Sequence, residues 1–158
     1  MCNRVHSRRS GLTLVELIVA FTILMLLTGM AVPLARSRVR RIQERDLREA
    51  LHEMRAAIDK YKDMADAHQL APGKAEAFGY PESLQVLVDG VKGTGAQADV
   101  KVKFLRRIPI DPMTHAADWG TRSMQDDPKG QGGGGQNVFD VFSKSYNKAS
   151  DGTPYSEW

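Results

Sequence analysis

Ser10-Gly11-Leu12-Thr13-Leu14-Val15-Glu16-Leu17-Ile18-Val19-Ala20-Phe21 holds a single acid inside an otherwise uncharged apolar run, and no charge follows from Leu17 to Ala35. A carboxylate at membrane depth costs on the order of 2–3 kcal/mol at a helix centre and less near an end. Such a group needs a partner, so Glu16 marks a functional position. The most economical partner is a cation presented by another protein at the same depth; snorkelling to the membrane surface is the bland alternative. Residues 12–35 can span a bilayer, since about 23 helical residues rise roughly 34 Å against a hydrocarbon core of about 30 Å. Gly29 and Pro33 lie near the far end. Proline removes a backbone donor, so a kink or local melting is expected there.

Upstream, residues 1–11 are basic and polar, with Arg4, Arg8 and Arg9 and no acid. They lack the apolar core of a secretory signal, and no small-residue cleavage site follows the greasy run. A cut after Gly11 would instead leave that run as the new N-terminus. It would also lower Lys+Arg from 22 to 19, against 19 Asp+Glu. The side-chain charge then balances, and no nucleic-acid partner is expected. A local cluster survives in Arg36, Arg38, Arg40, Arg41, Arg45 and Arg48, which reads as a solvated collar at the membrane surface in preference to an RNA or DNA patch. These arginines oppose a simple orientation: the positive-inside rule would keep the side after the span in the cytoplasm, although long translocated domains escape it. The only cysteine is Cys2, so the chain after Gly11 can form no disulfide. His52, His68 and His115 are scattered without zinc-ligand spacing.

Downstream, Leu47, Leu51, Met54, Ile58, Tyr61 and Ala65 recur at helical spacing, with charges on the opposite face. No breaker separates this stripe from the apolar run, so one helix over 12–68 is predicted, ended by Ala71-Pro72-Gly73. Its stripe is expected to pack on the protein's own domain. A short helix is predicted with Pro81 in its first turn and Asp89-Gly90 at its close. Residues 91–101 read as a loop, Asp111-Pro112 as a rigid turn, and 118–124 and 138–143 as strands. The glycine-rich stretch 130–135 reads as a flexible loop and lacks the Lys-Ser/Thr ending of a phosphate cradle. The tail ends in Tyr155 and Trp158 and is expected to dock. The fold class is therefore α+β. A long N-terminal helix, membrane-spanning in its first half, packs on a small C-terminal domain with a short helix and an antiparallel sheet.

With the basic leader, Gly11 before Leu12, the Thr13-Leu14-Val15-Glu16 run, the apolar helix and Pro33, the chain resembles a type IV pilin-like precursor. Further on, Tyr80-Pro81-x-Ser83-Leu84, Arg107-Ile108-Pro109-x-Asp111-Pro112, Trp119-Gly120 and Asp140-Val141-Phe142-Ser143 are similar to the major pseudopilin of type II secretion systems. The resemblance implies removal of residues 1–11 by a prepilin peptidase, with a cut between Gly11 and Leu12 and N-methylation of Leu12, where many relatives have Phe. It implies a filament-core helix over 12–35, an amphipathic continuation over 36–70 and a globular domain over 71–158. Glu16 and Pro33 would then serve assembly. It further implies a single-pass protein of the bacterial inner membrane with its C-terminal domain periplasmic. Its partners would be copies of itself in a helical filament, the peptidase, an inner-membrane assembly platform and minor pseudopilins. Relatives bind calcium in a C-terminal loop, which makes Asp151 the candidate ligand here, with Ser143 and Asp140 beside it. The loop's usual acidic richness is missing, and Asp151-Gly152 reads equally as an ordinary turn.

Three functions follow. The first is a structural subunit of a periplasmic secretion filament. The second is a type IV pilin of a surface filament serving adhesion, motility or DNA uptake, a class that a disulfide-closed loop would favour. The third is a membrane-anchored enzyme with Ser143, His115 and Asp151 as a triad, for which no nucleophile motif surrounds Ser143.

Overall fold

A computed structural model describes residues 13–95, 98, 100–127, 130, 132 and 135–158, with the side chains of 30–35 and 75 outside that description. The leader and the Gly11–Leu12 junction therefore lie outside the described residues, as does much of the glycine-rich loop. The chain divides into two compact units, Met1–Arg41 and Ile42–Trp158. The architecture is α+β and pilin-like: a long N-terminal helix, one further helix and two small antiparallel sheets.

Helix α1 spans Leu14–Asp66, 53 residues, and runs unbroken through Gly29 and Pro33. The local melting expected there does not occur. Proline offers no N–H to the carbonyl four residues back, so the ladder gives up one bond and the helix continues. α1 ends at Asp66, two residues before the predicted 68 and ahead of Ala71-Pro72-Gly73. His68 adopts the left-handed region at φ 55°. The His68 N–H donates to Ala65 O (3.0 Å) and the Gln69 N–H to Met64 O (2.9 Å). This is the paired closure of a Schellman cap, made by histidine in the place glycine usually takes.

Within the second unit the predicted stripe is the core: Leu47, Met54 and Ile58 are fully buried, and Leu51 and Tyr61 nearly so. They pack against Leu87, Leu105, Trp119, Val141 and Tyr155. Burial, and then the charge of Glu82, push the Tyr61 hydroxyl above its ordinary pKa. Helix α2, Leu84–Asp89, starts after an extended Ser83 and closes at Gly90 (φ 79°). Pro81 lies ahead of α2 and not in its first turn; it is buried, and its carbonyl accepts the Val138 N–H at 2.8 Å.

Strands β1 (Val91–Lys92) and β2 (Lys101–Val102) pair antiparallel in a stretch expected to be loop. Two-residue strands are too short to show alternation in a sequence. Strands β3 (Trp119–Arg122) and β4 (Asp140–Ser143) pair antiparallel with Trp119 opposite Ser143 and Gly120 opposite Phe142. Both are shorter than expected. Ser123 leaves the ladder because its N–H turns to Asp126 Oδ2 (2.8 Å). Gly120 is required by close approach: a Cβ there would lie 2.3 Å from the Phe142 ring. Gly120→Ala should therefore cost about 1–3 kcal/mol by overpacking. Denaturant unfolding followed by tryptophan fluorescence checks this; an unchanged midpoint would show that the ring is free to move aside.

Candidate functional site

The three expected calcium ligands are engaged by different partners. Asp140 Oδ1 accepts Arg55 Nε (2.7 Å) and its Oδ2 accepts Arg122 Nη1 (3.4 Å), so two guanidiniums already neutralise it. Ser143 Oγ is buried and donates to Asp111 Oδ2 (2.6 Å). Asp151 sits in an exposed turn, accepting the Thr153 N–H (2.9 Å) and hydroxyl (2.6 Å). Those two hydrogen bonds hold its carboxyl below the usual carboxylate range. Among the described residues no group of three or more His, Cys, Asp or Glu could hold a metal ion. The triad residues fare similarly: Ser143 is bonded to Asp111, whereas His115 is exposed at a left-handed turn (φ 57°).

Ser143 belongs instead to a packed cluster built from the segments singled out in the sequence. Asp111, fully buried, takes the Ser143 hydroxyl on one oxygen and the Met113 N–H on the other (2.7 Å). Trp119 Nε1 donates to Pro109 O (2.9 Å), and Phe142 covers Gly120. These are satisfied buried polar groups that fix one arrangement of the 108–116 turn on the β3–β4 sheet.

A second set of contacts fixes the tail, and its main residue was not singled out in the sequence. Glu44 on α1 is buried. It accepts the Ser150 N–H (3.1 Å), the Ser150 hydroxyl (3.3 Å) and the Tyr155 hydroxyl (3.1 Å). Arg55 Nη2 donates to Trp158 O (2.7 Å), Arg122 Nη2 donates to Ser156 O (2.8 Å), and the Arg48 guanidinium lies 4.2 Å from the Trp158 ring centroid. The signal was present: Glu44 falls three residues before Leu47 on the buried stripe, an acid in an apolar position.

At the other end, Thr13 opens α1. Its carbonyl accepts the Leu17 N–H (3.2 Å) and its hydroxyl accepts the Glu16 N–H (3.3 Å). Thr13-x-x-Glu16 has the spacing of a capping box, a signal that sequence reading missed. Glu16 thus sits in the first turn, where the helix dipole favours a carboxylate. Beyond it the helix is greasy all round. Eleven large apolar side chains between Leu14 and Leu27 are exposed, Met25 to 80%. The hydroxyls of Thr22 and Thr28 donate to Ile18 O and Leu24 O (2.7 Å each), so neither needs an outside partner.

Residues 6–32 match the prokaryotic N-terminal methylation motif. The match takes in the end of the leader, Gly11, Leu12, Glu16 and most of the apolar run. The chain thus carries a type IV pilin-like prepilin signal, which implies processing by a prepilin peptidase and assembly into a filament. No curated protein and no solved structure matches the chain. Among the described residues no helix is long and apolar enough to cross a membrane. The expected span over 12–35 includes residue 12 and the side chains of 30–35, which lie outside them.

Glu44→Ala should strip three donors of their acceptor and destabilise the second unit by about 1–3 kcal/mol. Denaturant unfolding measures it, and hydrogen exchange at Ser150 and Tyr155 should quicken. Asp151→Ala should leave those two amides as protected as before.

Proposed function

We propose that this protein is a structural subunit, a pseudopilin, of a type II secretion pseudopilus. It is made as a precursor and held in the inner membrane by residues 12–35, with its leader cytoplasmic and its second unit periplasmic. A prepilin peptidase cuts between Gly11 and Leu12, and Leu12 becomes N-methylated. Copies then assemble on an inner-membrane platform, with minor pseudopilins, into a periplasmic filament that drives protein export. One observation carries this reading: the methylation motif over 6–32 runs into a helix that exposes apolar side chains on every side between Leu14 and Leu27 and holds one acid in its first turn. A helix of that kind is completed by lipid or by copies of itself.

Cleavage creates a cation four residues before Glu16. An axial shift between neighbours brings one copy's Leu12 amine to another's Glu16 carboxylate. Within an apolar filament core each removes the other's desolvation penalty. The pair also fixes stagger, as a buried polar residue fixes register in a coiled coil. Pro33 keeps its place in the assembly segment, at the end of the apolar run. The role asks for no catalytic group, and Asp140 serves it as an internal tie, paired with Arg55 and Arg122.

A surface type IV pilin shares every feature through Pro33. The pseudopilin reading is supported by the packed cluster of Pro109, Asp111, Trp119, Gly120, Phe142 and Ser143, whose segments carry that resemblance. The absence of any cysteine after Cys2 agrees with it.

Intact mass of membrane-extracted protein tests the processing. Loss of residues 1–11 with gain of one methyl group is expected, and a full-length mass in cells with active peptidase would refute it. Glu16→Val should insert and be cut normally but assemble poorly, scored as pelletable polymer; normal filaments would remove the carboxylate from the account.

A further inference from the structure

Asp140, one of the expected calcium ligands, sits where segments remote in sequence meet. Arg55 donates from Nε to Asp140 Oδ1 (2.7 Å) and from Nη2 to Val141 O (3.1 Å) and Trp158 O (2.7 Å). Arg122 donates from Nη1 to Asp140 Oδ2 (3.4 Å), from Nη2 to Ser156 O (2.8 Å) and from Nε to Gly130 O (3.1 Å). The acceptors are both oxygens of one carboxylate and four backbone carbonyls, drawn from β4, the tail and the glycine-rich stretch. Calcium sites are built from the same kind of donor set, carboxylate and carbonyl oxygens converging on one cation. Here two side chains bring the two positive charges that a divalent ion would bring. Both are fixed in place. Arg122 is buried, and its guanidinium lies 4.1 Å from the Phe142 ring centroid. Arg55 is half-buried and spends Nε and Nη2 on three acceptors.

The other expected ligands are engaged apart from this set. Ser143 Oγ is closed on Asp111, and Asp151 Oδ1 takes both Thr153 donors. A calcium ion at Asp140 would have to displace two guanidiniums or share one carboxylate with them, and like charges that close repel. We infer that Arg55 and Arg122 hold the tail in place of the divalent cation that the resemblance implies, so the second unit folds and keeps its tail ordered without calcium. A bound metal stabilises by mass action and is lost when its concentration falls; a cation attached to the backbone is always present. The inference concerns the fold of the second unit, so it stands whether or not the chain polymerises.

The test uses the full processed chain, extracted in detergent and unfolded thermally with EGTA or with millimolar calcium chloride. The two midpoints should coincide. A calcium site filled at about a hundredfold above its dissociation constant would separate them by about 10 °C. Arg55→Gln keeps a polar side chain of moderate length at a half-exposed position, so the variant should fold. In EGTA its midpoint should fall by about 5 °C, and amide exchange at Glu157 and Trp158 should quicken about tenfold. A wild-type midpoint that drops in EGTA and recovers with calcium would overturn the inference. So would unchanged tail exchange in Arg55→Gln, since the guanidinium would then not be what holds the tail.

Discussion

Everything in this molecule is organised around an apolar helical surface that one copy cannot cover. Burying a single leucine-sized side chain stabilises by about 1.5–3 kcal/mol, and eleven such side chains stand exposed between Leu14 and Leu27. They lie on all sides of α1, so no single packed face would satisfy them. In the proposed role, lipid would satisfy them before assembly and neighbouring helices after it. The helix prepares for both environments by closing its own polar groups: Thr22 and Thr28 bond back to the backbone, and Thr13 caps the first turn. Glu16 is the exception. Its backbone N–H is satisfied by Thr13, but in the proposed role its carboxylate needs a cation from another copy once it lies in an apolar environment.

The second unit solves the opposite problem. Its buried stripe on α1 is well covered, and its remaining difficulty is to hold irregular backbone, since regular strands account for few of its residues. Buried polar pairs do that work. Asp111 ties Ser143 on β4 to the turn at Met113, while Glu44, Arg55 and Arg122 gather Ser150, Tyr155, Ser156 and Trp158. Removing one partner from such a pair leaves the other desolvated, so the penalty for change is steep. The tail is thus held by carboxylates and guanidiniums of the chain itself.

How far the sequence could be read follows from the length scale of each signal. The stripe from Leu47 to Tyr61 repeats over several turns, so both the helix and its buried face were legible. The β3–β4 pair was legible from Val138, Val141 and Phe142. Its ends were not, because Ser123 is drawn out of the ladder by Asp126, a side-chain bond with no periodic signature. The end of α1 falls two residues before the expected 68, where His68 takes a left-handed position that glycine normally announces. β1 and β2 were missed because two residues carry no alternation. At the candidate site, Glu16 was conspicuous as a lone charge. The cap that seats it was readable as Thr-x-x-Glu but was overshadowed by the membrane argument. That Asp140 meets Arg55 was not legible, because 85 residues separate the two in sequence and neither gives a local sign of the other.

The central claim is that the Leu12 amine of one copy neutralises the Glu16 carboxylate of another. Solid-state NMR on polymer grown from two differently labelled pools measures this directly, one pool carrying ¹⁵N at the Leu12 amine and the other ¹³C at the Glu16 carboxyl. The account predicts an intermolecular nitrogen–carbon correlation at ion-pair distance, about 4 Å or less. A polymer showing no such correlation, with the Glu16 carboxyl exchanging protons freely with water, would contradict it.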